Sequence, residues 1–362
     1  MAELSVFGNL ASGQSMKYLI DSRSEKFNQP WYINYFDWDI PQINLDFTTV
    51  LGESVISVAA SIVARDAETP LRSRAALAKL TGEIPAIKQM LTLNENQYRN
   101  YRALQSMQGV SDTQRRDQAL KLVWDDVKKS VDSIHNRLDL LCLQAVSTGM
   151  IDINIDNNPD GIVVPKINLL MPDANKQDAK KAWTAADADP IADIQSLVNA
   201  AGDNGYTFGK ILMDASKFAS FVTNGNVLKT LNAFSGYDRT NGANVPATLN
   251  RVNQFFTENQ MPTIEIIQRR VAIEKDGIPT AVNPFEAKNI VFIPDGKLGT
   301  IKNALAVEEM NPVKNIEYAT QGRILVSKWS QNEPWREYTK AECNAFPSLD
   351  AINNIFILKT EA

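Results

Sequence analysis

One stretch of the chain carries a clearer hydrophobic rhythm than any other. Val123, Val127, Val131, Ile134, Leu138, Leu141 and Ala145 recur at spacings of four and three, while Asp125, Asp126, Lys128, Lys129, Asp132 and Arg137 fill positions between them. Such spacing keeps the apolar side chains on one face of a helix. Ser111 offers a side-chain acceptor at the start with Asp112 behind it, and Gly149 offers a stop at the end. The pattern predicts one amphipathic helix over 112–148, roughly 37 residues and about 55 Å long. Globular helices average three or four turns. A rod of this length is either a coiled-coil strand or a spine across which a flat molecule is built. Only one such segment occurs and a broad mixed region follows it, which favours the spine.

Weaker patterns surround the rod. Residues 1–30 are polar, contain Gly8 and Gly13, and lack a clear period, which predicts an extended arm. Trp31, Tyr32, Tyr35, Phe36 and Trp38 follow closely. Each ring can bury about 150–250 Å², so the arm is expected to dock there, on its own subunit or on a neighbour. Residues 55–65 and 84–93 read as paired strands. Arg65, Arg72, Arg74 and Lys79 lie on the polar connection between them. That connection exceeds the tight turns of about two to five residues. A two-stranded ribbon is marginal in isolation. It therefore needs a surface such as a neighbouring subunit, unless the segment is a solvated basic loop.

Beyond the rod, strands are expected at 151–155 and 162–171 around an Asn-Pro-Asp-Gly turn. A helix opens at Asp189-Pro190, with Ile191, Ile194, Leu197 and Val198 facing one way. Strand 208–213 precedes helices near 214–222 and 225–233. Residues 235–244 read as an exposed Gly/Asn-rich loop, and a helix follows from about Pro246. Residues 263–282 read as a hairpin about Lys275-Asp276-Gly277, and strand 289–293 enters Pro294-Asp295-Gly296. The remainder is mainly strand-like. Strands and helices mix without a regular βαβ alternation, so the expected class is α+β.

Composition narrows the function. The chain has 362 residues, 44% hydrophobic and 22% charged, with a formal net charge of -5. That supports one large core or two modest ones and argues against a protein built to grip phosphates, which would carry a basic stripe. Cys142 and Cys343 stand far apart without a CxxC spacing, so neither a disulfide framework nor a zinc site is expected. The first residues lack the basic and apolar regions of a signal peptide, and no stretch is long and apolar enough to span a bilayer. No GxGxxG, GxxxxGK[ST], HExxH or GxSxG motif occurs. The sole histidine, His135, sits beside the apolar stripe without a partner nucleophile in register. Asp152, Asn154, Asp156, Asn157 and Asp160 resemble the opening of a calcium loop. The sixth and twelfth positions hold Asn157 and Val163 instead of the required Gly and Glu. Ile151, Ile153 and Ile155 alternate as in a strand, so a turn is expected. No catalytic, cofactor-binding or metal residue is assigned, and the chain is expected not to be an enzyme.

The order of these parts resembles the Hong Kong 97-type fold of tailed-phage major capsid proteins, closest to the lambda major capsid protein E branch. The passages most similar are IVFIPDGKLGTIKNA near 290–304 and the late NEPWREYTKAECNAFPSLDAINNIFIL. The resemblance implies an N-terminal arm and lead-in (1–54), an E-loop (55–92), a P-domain with the spine helix (93–148) and an A-domain (149–305). P-domain return strands (306–346) and a final A-domain strand (347–362) complete it. It implies inter-subunit contacts through Arg65, Arg72, Arg74 and Lys79. The spine's apolar face would be Val123, Val127, Val131, Ile134, Leu138 and Leu141, and Trp31, Tyr35 and Trp38 would anchor the arm.

The implied partners are copies of the chain itself in pentamers and hexamers, a separate scaffolding protein, a portal, and double-stranded DNA enclosed without sequence-specific binding. A decoration protein is permitted. No cofactor and no membrane are implied. The implied location is the virion capsid, assembled in the host cytoplasm. Some relatives cross-link an E-loop Lys to a distant Asn. Lys79, Lys88, Asn353 and Asn354 are present, but no local pattern marks such a pair and no cross-link is expected. Two other readings stay open on the sequence. One is an encapsulin-type compartment shell, which shares the fold, and the other is a soluble binding domain or hydrolase with a long helix.

Overall fold

The computed structural model describes residues 2–51, 78–106, 111–234 and 247–361. The chain opens with β1 (Ala2–Glu3), α1 (Gly13–Ser22), β2 (Phe36–Trp38), β3 (Asp46–Leu51) and β4 (Ala78–Glu83). β5 (Ala86–Asn94), α2 (Glu95–Ser106) and the rod α3 (Asp112–Thr148) follow, then β6 (Met150–Ile153), β7 (Val164–Asn168) and β8 (Lys176–Asp178). Next come α4 (Pro190–Asp203), β9 (Lys210–Asp214), α5 (Ala215–Thr223), α6 (Gly225–Phe234), α7 (Leu249–Glu258) and β10 (Thr263–Ile267). The last part holds β11 (Val271–Lys275), β12 (Ile278–Val282), β13 (Asn289–Ile293), β14 (Gly299–Ala304) and α8 (Val307–Met310). It ends with β15 (Glu317–Gln321), β16 (Ile324–Gln331), β17 (Arg336–Ser348) and β18 (Phe356–Lys359). The class is α+β, as the mixed pattern predicts.

The rod forms where its caps place it. The Ser111 hydroxyl accepts from the Gln114 N–H at 3.3 Å, and the Gln114 side chain accepts from the Ser111 N–H at 2.9 Å. This reciprocal pair satisfies donors left open by the first turn. Gly149 ends the helix at φ 71°, a left-handed conformation that costs a side-chain-bearing residue about 1–2 kcal/mol. Burial along the rod is uneven. No residue before Ala119 is buried, whereas Leu138, Asp139, Leu140, Leu141, Cys142, Leu143, Ala145, Val146 and Ser147 all are. The C-terminal end is therefore enclosed all round and the N-terminal turns stand clear of the core.

Two sheets enclose that end. Among the described residues, seven strands form the larger sheet in the order β1-β16-β17-β14-β2, with β15 paired to β16 and β5 to β17. The thirteen-residue β17 is its axis. The smaller sheet runs β10-β9-β13-β18-β8, with parallel pairs at β10-β9 and β18-β8. Its strands alternate with a period of two. Ile211, Met213, Ile290, Phe292, Phe356 and Leu358 point into a cluster with α4 to α7. Their neighbours Leu212, Val291, Ile293 and Ile357 join the cluster built on the rod and the larger sheet. One thin sheet thus joins two cores.

The structure corrects several expectations. Residues 1–30 are not simply extended: α1 buries Met16, Leu19 and Ile20, whose one-turn spacing is a helix signal. The helix α2 was absent from the expected elements. Residues 86–94 form β5, which makes nine antiparallel pairs with β17. The ribbon is instead β3 against β4, from Asp46↔Glu83 to Leu51↔Ala78. The expected strand 55–65 and the loop 235–244 lie outside the described residues. Residues 263–273 are not one strand: β10 enters the smaller sheet and only β11 forms the hairpin with β12. The break falls at Gln268-Arg269-Arg270, where charged side chains replace the apolar alternation.

Candidate functional site

The doublet Arg269-Arg270 joins the two cores. Arg269 Nε lies 2.7 Å from Asp139 Oδ2 on the rod, and its Nη2 donates to Asn136 Oδ1 at 2.6 Å. Arg270 Nη2 pairs with Asp214 Oδ2 at 2.8 Å, at the end of β9. Successive side chains in extended backbone point to opposite sides, so adjacent arginines reach partners on different elements. Asp139 is fully buried and also accepts from the Tyr32 N–H at 2.9 Å. Burial raises its pKa, against the pull of that amide and of Arg269. Asp214 is likewise buried, which pushes its pKa up. The Ser216 hydroxyl and amide, Arg270 and Asn283 outweigh that and hold the carboxyl below its ordinary range. Sequence reading absorbed both arginines into a strand. Their signal was a charged doublet interrupting an apolar alternation.

The aromatic segment docks on its own chain. Trp31 and Tyr35 have ring centroids 4.8 Å apart, and Tyr32 meets Trp38 edge-on at 6.0 Å. The Tyr35 hydroxyl donates to Glu265 at 2.5 Å, beside Lys210 at 3.2 Å, and burial pushes its pKa up to about 12. β2 carries Phe36 and Trp38 into the larger sheet, parallel to β14. The Tyr32 hydroxyl lies 2.9 Å from His135 Nδ1. Burial lowers the His135 pKa and keeps the ring neutral. The spine residues Val123, Val127, Val131, Ile134, Leu138 and Leu141 are all buried.

The first residues are pinned by a buried network. Ser5 donates to Glu337, and the Val6 N–H reaches the same carboxylate at 3.3 Å. Lys328, wholly buried, lies 3.6 Å from Glu337 and donates to Thr339 at 2.7 Å. Burial lowers the Lys328 pKa and raises that of Glu337. α1 is fixed to β15 by the Gly13 N–H donating to Glu317 at 2.7 Å.

Asp152, Asn154, Asp156 and Asn157 form a turn. Asn154 Oδ1 accepts from the N–H groups of Asp156 and Asn157 at 3.0 and 3.1 Å, and Asn157 Nδ2 donates to the Asp152 carbonyl at 2.7 Å. Among the described residues, no group of three or more His, Cys, Asp or Glu is placed to hold a metal ion. No helix among them is long and apolar enough to cross a membrane. Cys142 and Cys343 are buried free thiols, and burial raises both pKa values.

The fold leaves several large apolar side chains uncovered. Ile40 is 82% exposed and Ile43 74%, on the lead-in to the ribbon. Val307 and Met310 of α8 are also exposed, and Pro41 shares a cleft of about 210 Å³ with Leu305, Ala306 and Glu309. Contiguous exposed apolar surface marks a contact face. In the ribbon, Lys79 stands opposite Val50, whereas Arg65, Arg72 and Arg74 lie outside the described residues.

A spine buried at its C-terminal end between two sheets, with a self-paired ribbon beside it, is the frame of the Hong Kong 97-type fold. The solved structures agree on the fold. A capsid protein assigned to a prophage of E. coli CFT073 is 16% identical, covers 100% of both chains and superposes with a TM-score of 0.60. A phage-related protein of Bordetella bronchiseptica RB50 is 10% identical over 95% of this chain and 96% of its own, at a TM-score of 0.51. No curated protein matches the sequence. Residues 34–360 match the model of phage major capsid protein E, and the chain belongs to that family. It is a structural, non-enzymatic protein that forms the capsid shell of a tailed phage and associates with its own copies into capsomers.

Proposed function

We propose that the capsomers are pentamers and hexamers, assembled in the host cytoplasm around a separate scaffold and a portal into a rounded precursor. Entry of double-stranded DNA then expands the shell, which encloses the genome without reading its sequence. Residues 1–54 form the arm and lead-in, 55–92 the E-loop, and 93–148 with 306–346 the P-domain. Residues 149–305 with 347–362 form the A-domain. Arg65, Arg72, Arg74 and Lys79 lie over the adjacent subunit and meet its carboxylates. Each such pair contributes only about 0–1 kcal/mol, but a closed shell repeats it at every subunit. A decoration protein on the outer surface is permitted but not required.

The observation that carries this reading is the ribbon. Among the described residues β3 and β4 pair only with each other, and a lone two-stranded ribbon is marginal without a surface to lie on. The test is expression of the full chain alone and with the neighbouring scaffold and portal genes, followed by sedimentation and negative-stain microscopy. Closed, rounded particles are expected in at least the second case. A species that stays monomeric under both conditions overturns the reading.

A further inference from the structure

The N-terminal turns of the rod, which bury nothing before Ala119, flank an open groove of roughly 930 Å³. Its lining includes Tyr98, Arg99, Arg102 and Ala103 from α2, Arg115 from α3 and Trp335 from the β16–β17 turn. Tyr98 and Trp335 are packed with ring centroids 4.8 Å apart. Glu95 pairs with Arg99 at 2.6 Å and Asp112 with Arg115 at 3.7 Å. Three guanidiniums therefore face two carboxylates, a surplus of one positive charge in a chain of net charge -5. Tyr, Trp and Arg are the residues enriched at the energetic centres of protein interfaces.

A complementary surface lies elsewhere on the chain. The loop between β6 and β7 exposes Ile155, Ile162 and Val163 together with Asp156 and Asp160. Arg137 fastens the loop to the rod by donating to the Asn157 carbonyl at 2.7 Å. Arg137 and Arg115 are 22 residues apart on one continuous helix, so about 33 Å separates loop from groove. The loop cannot fill its own chain's groove. Two unlike surfaces at separate places on one molecule make a heterologous contact, which closes into a ring when the rotation per copy permits.

We propose that the 154–163 loop of one copy seats in the α2–Trp335 groove of the next, its carboxylates on the arginines and its isoleucines against Tyr98 and Trp335. The proposal rests on the shell reading above and names a contact within it. The full chain is tested under the conditions in which the unchanged protein forms particles. Arg99→Glu with Arg102→Glu, and separately Asp156→Lys with Asp160→Lys, each lower particle yield about tenfold or more, as loss of central charged contacts does. All four changes together restore it, while every unassembled variant still unfolds cooperatively, those carrying Arg99→Glu melting slightly lower for want of the Glu95 pair. Independently of folding, Ala103→Cys with Ile162→Cys gives an intermolecular disulfide ladder in assembled material. Normal yield from either pair of substitutions, no rescue by the combination, or no ladder overturns the pairing and leaves the shell reading intact. Loss confined to the arginine variant shows that a different partner uses the groove, and also overturns it. Absence of particles from the unchanged protein removes the shell reading first.

Discussion

Replacing Arg269 by Met tests whether the doublet holds the two cores together. Its partner Asp139 is completely buried while the arginine side chain is 24% exposed. Removing one member of a buried pair costs about 3–5 kcal/mol, because the remaining charge has no compensation. Asp139 keeps the Tyr32 amide, and Arg269 is partly solvated, so the low end, about 3 kcal/mol, is expected. Arg270→Met is the internal control. Asp214 retains the Ser216 hydroxyl and amide and Asn283, and Arg270 is 38% exposed. Losing one charged hydrogen bond of several costs about 1.5–2 kcal/mol. The assay is urea unfolding of the unassembled subunit, since assembly itself would raise apparent stability. Arg269→Met with Asp139→Asn should recover most of the loss, because no unpaired charge then remains while the side-chain oxygen still accepts from the Tyr32 amide. Equal costs for the two arginines, or a cost under about 1 kcal/mol for Arg269→Met, would refute the uneven roles assigned to them.

Other expectations follow from single positions. Val131→Pro, at a wholly buried site in mid-rod, removes a helical hydrogen bond and adds a ring clash, costing about 3 kcal/mol or more; microscopy should find no shells. Gly149→Ala places a Cβ at φ 71° and 2.9 Å from Met171 Cβ, so unfolding measurements should show a loss of about 1–2 kcal/mol. The lowered pKa of His135 means that the unfolded chain binds a proton more readily. Stability contributed by the neutral ring is present above the ordinary value near 6.5 and falls as pH drops below it. Asp132, Gln321, Arg269 and Tyr32 surround that ring, and His135→Gln should flatten the melting curve between pH 7.5 and pH 5.

The rod was legible because its caps, period and length all agree locally. The class, the terminal strand and most elements after residue 189 were legible for the same reason. Pairings were not. Residues 84–93 read as a strand correctly, but nothing in the segment says that its partner lies about 250 residues away in β17, because register is set by the face each strand buries. The helix α1 was masked by polar residues between Met16, Leu19 and Ile20. The joint escaped notice because an arginine doublet looks like a solvated interruption until Asp139 and Asp214 are brought to it from distant parts of the chain.

The packing also decides where a subunit can bend. Leu212, Val291, Ile293 and Ile357 share one cluster with Leu138, Leu141 and Val146 of the rod. Opening that seam would expose apolar surface at about 25 cal/mol per Å² and break the Arg269 contact as well. Four side chains of this size represent several kcal/mol before any polar term is counted. Before Ala119 the rod has no buried residue, and β3 and β4 have no strand partner but each other among the described residues. The ribbon is anchored at its base by Phe47, which packs on Phe346 with ring centroids 5.4 Å apart, and the first turns of the rod bury no such side chain. A shell that changes shape is therefore expected to keep the two sheets and the C-terminal end of the rod as one body. Its rearrangement falls on the ribbon and the first turns of the rod, where contacts with other copies replace contacts within the chain.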